Sequence, residues 1–135
     1  MVGRQIGEYG DIRCQRAGEF GLVAGQLKDN NLTQVLFNLP PGDWEAGERG
    51  IASLPGRERE FSESVAKAIS YARSLNLSRL HCMAGLSDPS VAGREQRDTY
   101  VQNLRHAGEQ CRDNGIQLLI EPINRKTHSE SLLLF

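Results

Sequence analysis

The sequence predicts an α/β fold built on a parallel sheet, and three observations carry that prediction. Short, nearly continuous apolar blocks occur at residues 32–39, 77–86 and 116–120. The two long stretches between them repeat apolar residues at three- and four-residue spacing, the mark of amphipathic helices. Polar residues then gather just after each apolar block, with Asn38 and a long loop after the first, Gly85 and Ser87 after the second, Glu121 and Asn124 after the third. An alternation of strand and helix of this kind gives parallel strands joined by right-handed crossovers, with ligands bound at the carboxyl edge.

The segment 1–21 holds five of the 14 glycines and no apolar period of two or 3.6, so no element is assigned to it. Leu22, Val23 and Leu27 support a short helix over 22–28 that ends at Asp29-Asn30-Asn31, residues suited to caps and turns. Val35, Leu36, Phe37 and Leu39 follow almost without interruption, as in a strand buried on both faces. The chain then breaks at Pro40-Pro41-Gly42 into a polar loop that carries the only Trp, Trp44, and returns to order after Pro55-Gly56. Connections that long are uncommon in a compact domain and are usually functional or disordered. Trp44, Ile51 and Leu54 are placed to pack, which favours a shaped loop at a site.

Over 58–75 the residues Phe61, Val65, Ala68, Ile69, Ala72 and Leu75 form one stripe of a helix closed by Asn76. A second helix, 94–114, turns Tyr100, Val101, Leu104, Ala107 and Cys111 inward and ends at Gly115, a natural C-terminal cap. The third strand runs directly into Glu121-Pro122-Ile123-Asn124.

With 135 residues the chain suffices for one domain, and 39% hydrophobic with 24% charged residues is ordinary for a globular one. A formal net charge of -1 with dispersed Lys and Arg leaves no electrostatic footprint for nucleic acid or an anionic membrane. No run approaches the roughly 18 apolar residues of a membrane span, and 1–25 lacks the apolar centre of a signal peptide, so a cytoplasmic location is expected. Cys14, Cys82 and Cys111 are odd in number and widely spaced, which argues against a disulfide scaffold or a zinc knuckle. Gly3, Gly7 and Gly10 do not make a phosphate loop, since no strand precedes them.

Glu121 is the sharpest chemical candidate. The proline after it biases it toward extended geometry, and a carboxylate at a strand end can bind a divalent cation or act as a base. Spacing alone also allows a solvated or ion-paired Glu. His81, between Leu80 and Cys82, is either a satisfied strand residue or a substrate contact. Asn38, inside an apolar run, must find hydrogen bonds from the fold or from a ligand. Asp43, Glu45, Glu48, Arg49 and Arg57 could form an ion-pair lattice that shapes the loop. His106 and His128 read as surface residues.

Several of these segments resemble successive motifs of one family. Asn38-Leu39-Pro40-Pro41-Gly42-Asp43-Trp44-Glu45-Ala46-Gly47-Glu48-Arg49-Gly50, Leu54-Pro55-Gly56-Arg57, His81-Cys82-Met83-Ala84-Gly85, Asn103-Leu104-Arg105-His106-Ala107 and Glu121-Pro122-Ile123-Asn124 are similar to those of the hydroxypyruvate isomerase family. That family is close to the 2-oxo-tetronate isomerases, within the xylose isomerase-like TIM-barrel superfamily. The resemblance covers 24–124, leaving 1–23 unassigned and 125–135 as a divergent tail.

The resemblance implies an eight-stranded barrel that interconverts an aldose and a ketose, here hydroxypyruvate or a related short oxo acid or sugar acid. Two glutamates would move a proton through an enediolate stabilised by Mg2+ or Mn2+, with no organic cofactor. Glu121 matches the first glutamate, also a metal ligand, and Asn38, Arg57 and His81 match positions that face the substrate. A TIM barrel typically needs about 250 residues, so the expected architecture is a partial (β/α)8 barrel, from the family's second helix to its fifth strand. The family's second glutamate and remaining metal ligands fall in later strands, and both ends read as truncated or frameshifted. Three outcomes stay open: an isomerase that is incomplete as an isolated chain, one completed by another chain, or a half-barrel without catalysis that forms a homo-oligomer through its exposed sheet edges.

Overall fold

The computed structural model describes residues 19–122; Cys14, His128, Ile123, Asn124 and the apolar end of the tail lie outside them. Six elements follow one another: α1 (Glu19–Asp29), β1 (Phe37–Asn38), α2 (Glu58–Ser74), β2 (Arg79–His81), α3 (Gly93–Asp113) and β3 (Gln117–Leu119). The three strands form one parallel sheet in the order β1-β2-β3. The α/β class, the parallel pairing and the two long crossover helices are those the apolar pattern predicts.

Each helix has a local cause. In α2 the residues Phe61, Val65, Ala68, Ile69 and Ala72 are buried along one stripe, and Glu58 and Glu60 sit in the first turn, where the helix dipole favours negative charge. In α3 the buried stripe is Gln96, Thr99, Tyr100, Asn103, Ala107 and Cys111. The chain leaves α1, α2 and α3 through left-handed residues, Asn31, Asn76 and Gly115, types that tolerate that conformation at little cost.

The strands are much shorter than the apolar blocks that contain them. The block 32–39 contributes only Phe37 and Asn38 to the ladder, opposite Leu80 and His81. Leu32 and Val35 are 63% and 61% exposed. The burial on both faces expected for this strand is therefore not found among the described residues. The reason is the layer count: α2 and α3 cover one face of the sheet, and among the described residues nothing covers the other.

That asymmetry sorts the side chains. Phe37, Leu80 and Leu118 pair across the sheet and join the core against α2 and α3. Asn38, His81 and Leu119 are the next residues in the same registers, and by strand alternation they project from the opposite face. The core itself is continuous, joining Phe61, Val65 and Ile69 to Leu80, Cys82, Tyr100 and Ile116, and it takes in Leu39, Ile51 and Ala52 from the long loop.

Leu80 is 0% exposed at the centre of this layer. Replacing it with Ala should cost about 2–5 kcal/mol, since the site cannot fully collapse around the lost atoms. Val35→Ser should stay within about 0.5 kcal/mol. Urea unfolding followed by circular dichroism checks both, and a similar loss at the two positions would contradict the one-sided core.

Candidate active site at the carboxyl edge

The sheet register brings three of the four sequence-predicted residues together. Asn38 and His81 are cross-strand partners, and His81 Nδ1 lies 2.9 Å from Asn38 Oδ1. An amide oxygen only accepts, so Nδ1 carries the hydrogen and Nε2 of the neutral ring keeps a lone pair. The polar side chain inside the apolar run thus finds its partner on the neighbouring strand.

Glu121 lies two residues beyond Leu119, which pairs with His81, and its side is set by the same alternation. Burial lowers the His81 pKa below its ordinary value, and the negative charge of Glu121 partly offsets that by favouring the imidazolium. Glu121 is exposed and His81 half-buried. A lone-pair nitrogen and a carboxylate therefore share the carboxyl edge, on the face away from the helices. Such a pair can accept a substrate hydroxyl and carry a proton.

Arg57 is differently engaged. Its Nε and Nη2 donate to the two carboxylate oxygens of Glu60 at 2.7 Å each, and Nη1 pairs with Glu48. This fork holds the Arg57 pKa above its ordinary range and the Glu60 carboxyl below its own. Arg57 thereby fastens the end of the loop to the first turn of α2. Glu48 also accepts the Asp43 backbone N–H, and Asp43 Oδ1 accepts the Ala46 N–H at 3.0 Å. Of the ion-pair lattice expected over Asp43, Glu45, Glu48, Arg49 and Arg57, the Glu48–Arg57 pair is present, extended to Glu60, while Asp43 and Arg49 shape the loop through backbone groups and the Trp44 ring instead. Trp44 is half-buried beneath the Arg49 guanidinium, which lies 3.6 Å from its ring centre.

Backbone contacts press this loop against the exit of β2. Gly50 adopts φ +122°, and a Cβ there would stand 2.5 Å from the Met83 carbonyl oxygen; Gly85 approaches the Gly50 carbonyl from the other side. Ser53 N–H donates to the Ala84 carbonyl at 3.0 Å.

Two buried side chains of α3 complete the support. Asn103 Nδ2 donates to the Ala52 carbonyl at 2.8 Å, and Gln96 accepts the Asp88 N–H at 3.1 Å. Neither is among the sequence-predicted site residues. Their signal is visible in hindsight, for Gln96 and Asn103 lie in phase with Tyr100, Ala107 and Cys111 on the apolar stripe. A polar residue there must have a partner.

Cys82 and Cys111 are free and buried, and desolvation pushes the Cys82 thiol up to about 12 and raises that of Cys111. Both are inert small core residues. Among the described residues no three His, Cys, Asp or Glu side chains converge as a metal site. A Mg2+ or Mn2+ ion needs several oxygen donors, of which Glu121 offers one carboxylate, so the described residues do not by themselves fit such an ion. No helix of the described residues is long and apolar enough to cross a membrane.

Parallel strands, crossover helices and a polar carboxyl edge define a piece of a β/α barrel, and the chain belongs to the xylose isomerase-like TIM barrel family, whose model matches residues 15–131. Within it the chain is 48% identical over 98 residues to the hydroxypyruvate isomerase of Escherichia coli K12, a match covering 73% of this chain and 38% of that protein. It is 46% identical over 104 residues to the 2-oxo-tetronate isomerase of Cupriavidus necator, covering 77% and 40%. The crystal structure of a family 2 AP endonuclease from Brucella melitensis superposes with a TM-score of 0.77 at 41% identity, over 83% of this chain and 43% of that one. A D-tagatose 3-epimerase-like protein at 17% identity shares the fold, with a TM-score of 0.68. The chain thus spans about 40% of the length of the curated relatives it matches.

The pKa of His81 gives a directional test. Its folded value lies below that of the unfolded chain, so as pH falls the unfolded chain binds the proton first. The contribution to stability is complete above about pH 6.5 and is lost as pH drops from there through the folded value. Urea midpoints between pH 7.5 and 5 should fall with acidification, and more shallowly in His81→Gln. A His81 imidazole titrating above 6.5 by NMR would contradict this.

Proposed function

We propose that the chain supplies one wall of an aldose-ketose isomerase site for a short oxo acid, converting hydroxypyruvate to 2-hydroxy-3-oxopropanoate or acting on a related sugar acid. The observation that carries this reading is the convergence of Asn38, His81 and Glu121 at the carboxyl ends of three adjacent parallel strands. The identity to isomerases of 46% and 48% over this same portion supports it.

The reaction moves one hydrogen from C3 to C2 and the carbonyl from C2 to C3. Glu121 takes the C3 proton, leaving an enediolate; the proton of the C3 hydroxyl passes to the C2 oxygen, and a proton returned to C2 leaves the carbonyl at C3. His81, held by Asn38 with Nε2 free to accept, orients the substrate hydroxyl. Glu121 would also be one ligand of the Mg2+ or Mn2+ ion the family resemblance implies, which would stabilise the enediolate; the described residues lack the rest of that set. The free thiols of Cys82 and Cys111 suit the reducing cytoplasm, where we place the protein.

A second reading is a non-catalytic half-barrel that self-associates through its sheet edges. Exposed Leu32 and Val35 before β1 and Ile120 after β3 favour it, because unpaired strand edges and bare apolar residues invite pairing.

Assaying the chain with hydroxypyruvate and Mn2+ separates the readings when the same fractions are sized by light scattering. As one wall of the site, the isolated chain is expected to turn over weakly at most, and any turnover should fall at least about 100-fold in Glu121→Gln with unchanged thermal unfolding. A defined oligomer that neither turns over nor binds hydroxypyruvate would favour the second reading.

A further inference from the structure

The long loop has two parts of different construction. Its inner part, 51–54, is built into the body of the protein: Ile51 and Ala52 are core, Ser53 N–H bonds the exit of β2, and Asn103 holds the Ala52 carbonyl. Its outer part, 42–49, is closed upon itself. Gly50 N–H donates to the Pro41 carbonyl at 2.8 Å across the neck, Glu48 N–H to the Asp43 carbonyl at 2.9 Å, and Gly47 N–H to the Trp44 carbonyl at 3.0 Å. Arg49 adds bonds to the carbonyls of Trp44 and Glu48 and covers the Trp44 ring. A segment with its ends bonded together and its backbone groups partnered from within moves as a unit more readily than it unravels.

Glu48 fastens this unit to α2. Its Oε2 accepts the Asp43 N–H inside the segment, while Oε1 pairs with Arg57 outside it. Arg57 also holds both carboxylate oxygens of Glu60 at 2.7 Å each. If Glu48 and Arg57 part, Arg57 keeps Glu60 and Glu48 keeps the Asp43 N–H, so neither charge is stranded. The two side chains are 24% and 30% exposed, and an ion pair open to water contributes little net stability. A link that both partners release at small cost is a latch.

The place of the unit gives the latch a use. Residues 46–49 face residues 86–89 of the loop after β2 across a groove of about 290 Å³. Both loops leave the carboxyl edge on which Asn38 and His81 stand. Gly42 and Gly50 bound the unit at φ +88° and +122°, and glycine absorbs the backbone rotation a pivot needs.

We propose that residues 42–49 form a lid over the carboxyl edge, pivoting at Gly42 and Gly50 and held shut by the Glu48–Arg57 ion pair. The arrangement described is the closed state. In the open state Gly50 stays seated against Met83, the outer unit swings from the loop after β2, and the groove widens to admit a ligand. Closure then removes water from that ligand. The latch stands apart from the isomerase reading, which enters only through the ligand used to close it.

Trp44 is the chain's single Trp, so 19F NMR of protein labelled with 5-fluorotryptophan reports on the lid alone. The signal should describe an open and a closed population, as two lines or as one averaged line. Glu48→Gln keeps an acceptor for the Asp43 N–H but removes the ion pair, and should raise the open-to-closed ratio roughly 2- to 5-fold. Raising NaCl from about 0.05 M to about 0.5 M should move wild-type protein the same way and leave Glu48→Gln unchanged. Glu60→Gln, which spares the latch, should not raise the ratio. Thermal unfolding verifies that each variant folds, and the salt series needs no variant. A 19F signal that neither salt nor Glu48→Gln moves would overturn the lid, as would an equal rise in Glu60→Gln. Hydroxypyruvate should shift the signal toward the closed state. A latch that responds to salt and to Glu48→Gln but not to hydroxypyruvate would sink the small oxo acid reading and leave the lid standing.

Discussion

The long loop depends on one close approach, the backbone of Gly50 against that of Met83 and Gly85. No side chain fits between them: a Cβ on Gly50 would meet the Met83 carbonyl oxygen at 2.5 Å, and one on Gly85 would meet the Gly50 carbonyl oxygen at 2.6 Å. Both glycines hold φ beyond +100°, which other residues rarely adopt. This contact lets Ser53 N–H reach the Ala84 carbonyl and sets Ile51 and Ala52 into the core. Asn103 then bonds the Ala52 carbonyl from the helix side, so the backbone group buried by the packing is satisfied. A connection of this length becomes a fixed wall because its interior half is treated as core. Its outer half, from Asp43 to Arg49, is left to charge and aromatic contacts.

Charge makes different uses of the same residue type along this wall. Arg57 meets two carboxylates, and the three groups lock the start of α2 to the loop. Arg49 meets carbonyls and a ring, which orient a cation but cannot neutralise it. Composition could not separate them, since both are Arg among nearby Glu residues. Partner geometry does, because only a carboxylate at the right distance removes the charge available to a ligand.

What the sequence made legible follows the strength of each periodic signal. Helices α2 and α3 were readable because several turns repeat the same stripe, and packing on the sheet enforces it. The strands were readable in place and direction but not in length. An apolar run states only that residues avoid water, whereas a strand also needs a partner to receive its hydrogen bonds, and β2 offers three residues. Asn38 and His81 stood out as polar residues in apolar blocks, and their mutual hydrogen bond explains both. Gln96 and Asn103 were missed because a polar residue on a helix is unremarkable until its phase is compared with the buried stripe.

The open face of the sheet joins these strands of argument. The chain belongs to a TIM-barrel family, and its match to the curated isomerases covers 38–40% of their length. In a barrel the face away from the helices is the interior, where side chains from all strands fill the space in layers. Asn38, His81 and Leu119 project from the uncovered face of this sheet, which is why polar groups can stand so near the core without disturbing it. Here Glu121 is exposed. Proton transfer at a carboxylate gains from the exclusion of water, and water is excluded by a second wall. The helix-covered half is already complete as a packed layer, so a second wall would act on the exposed carboxyl edge with little need to rearrange the first.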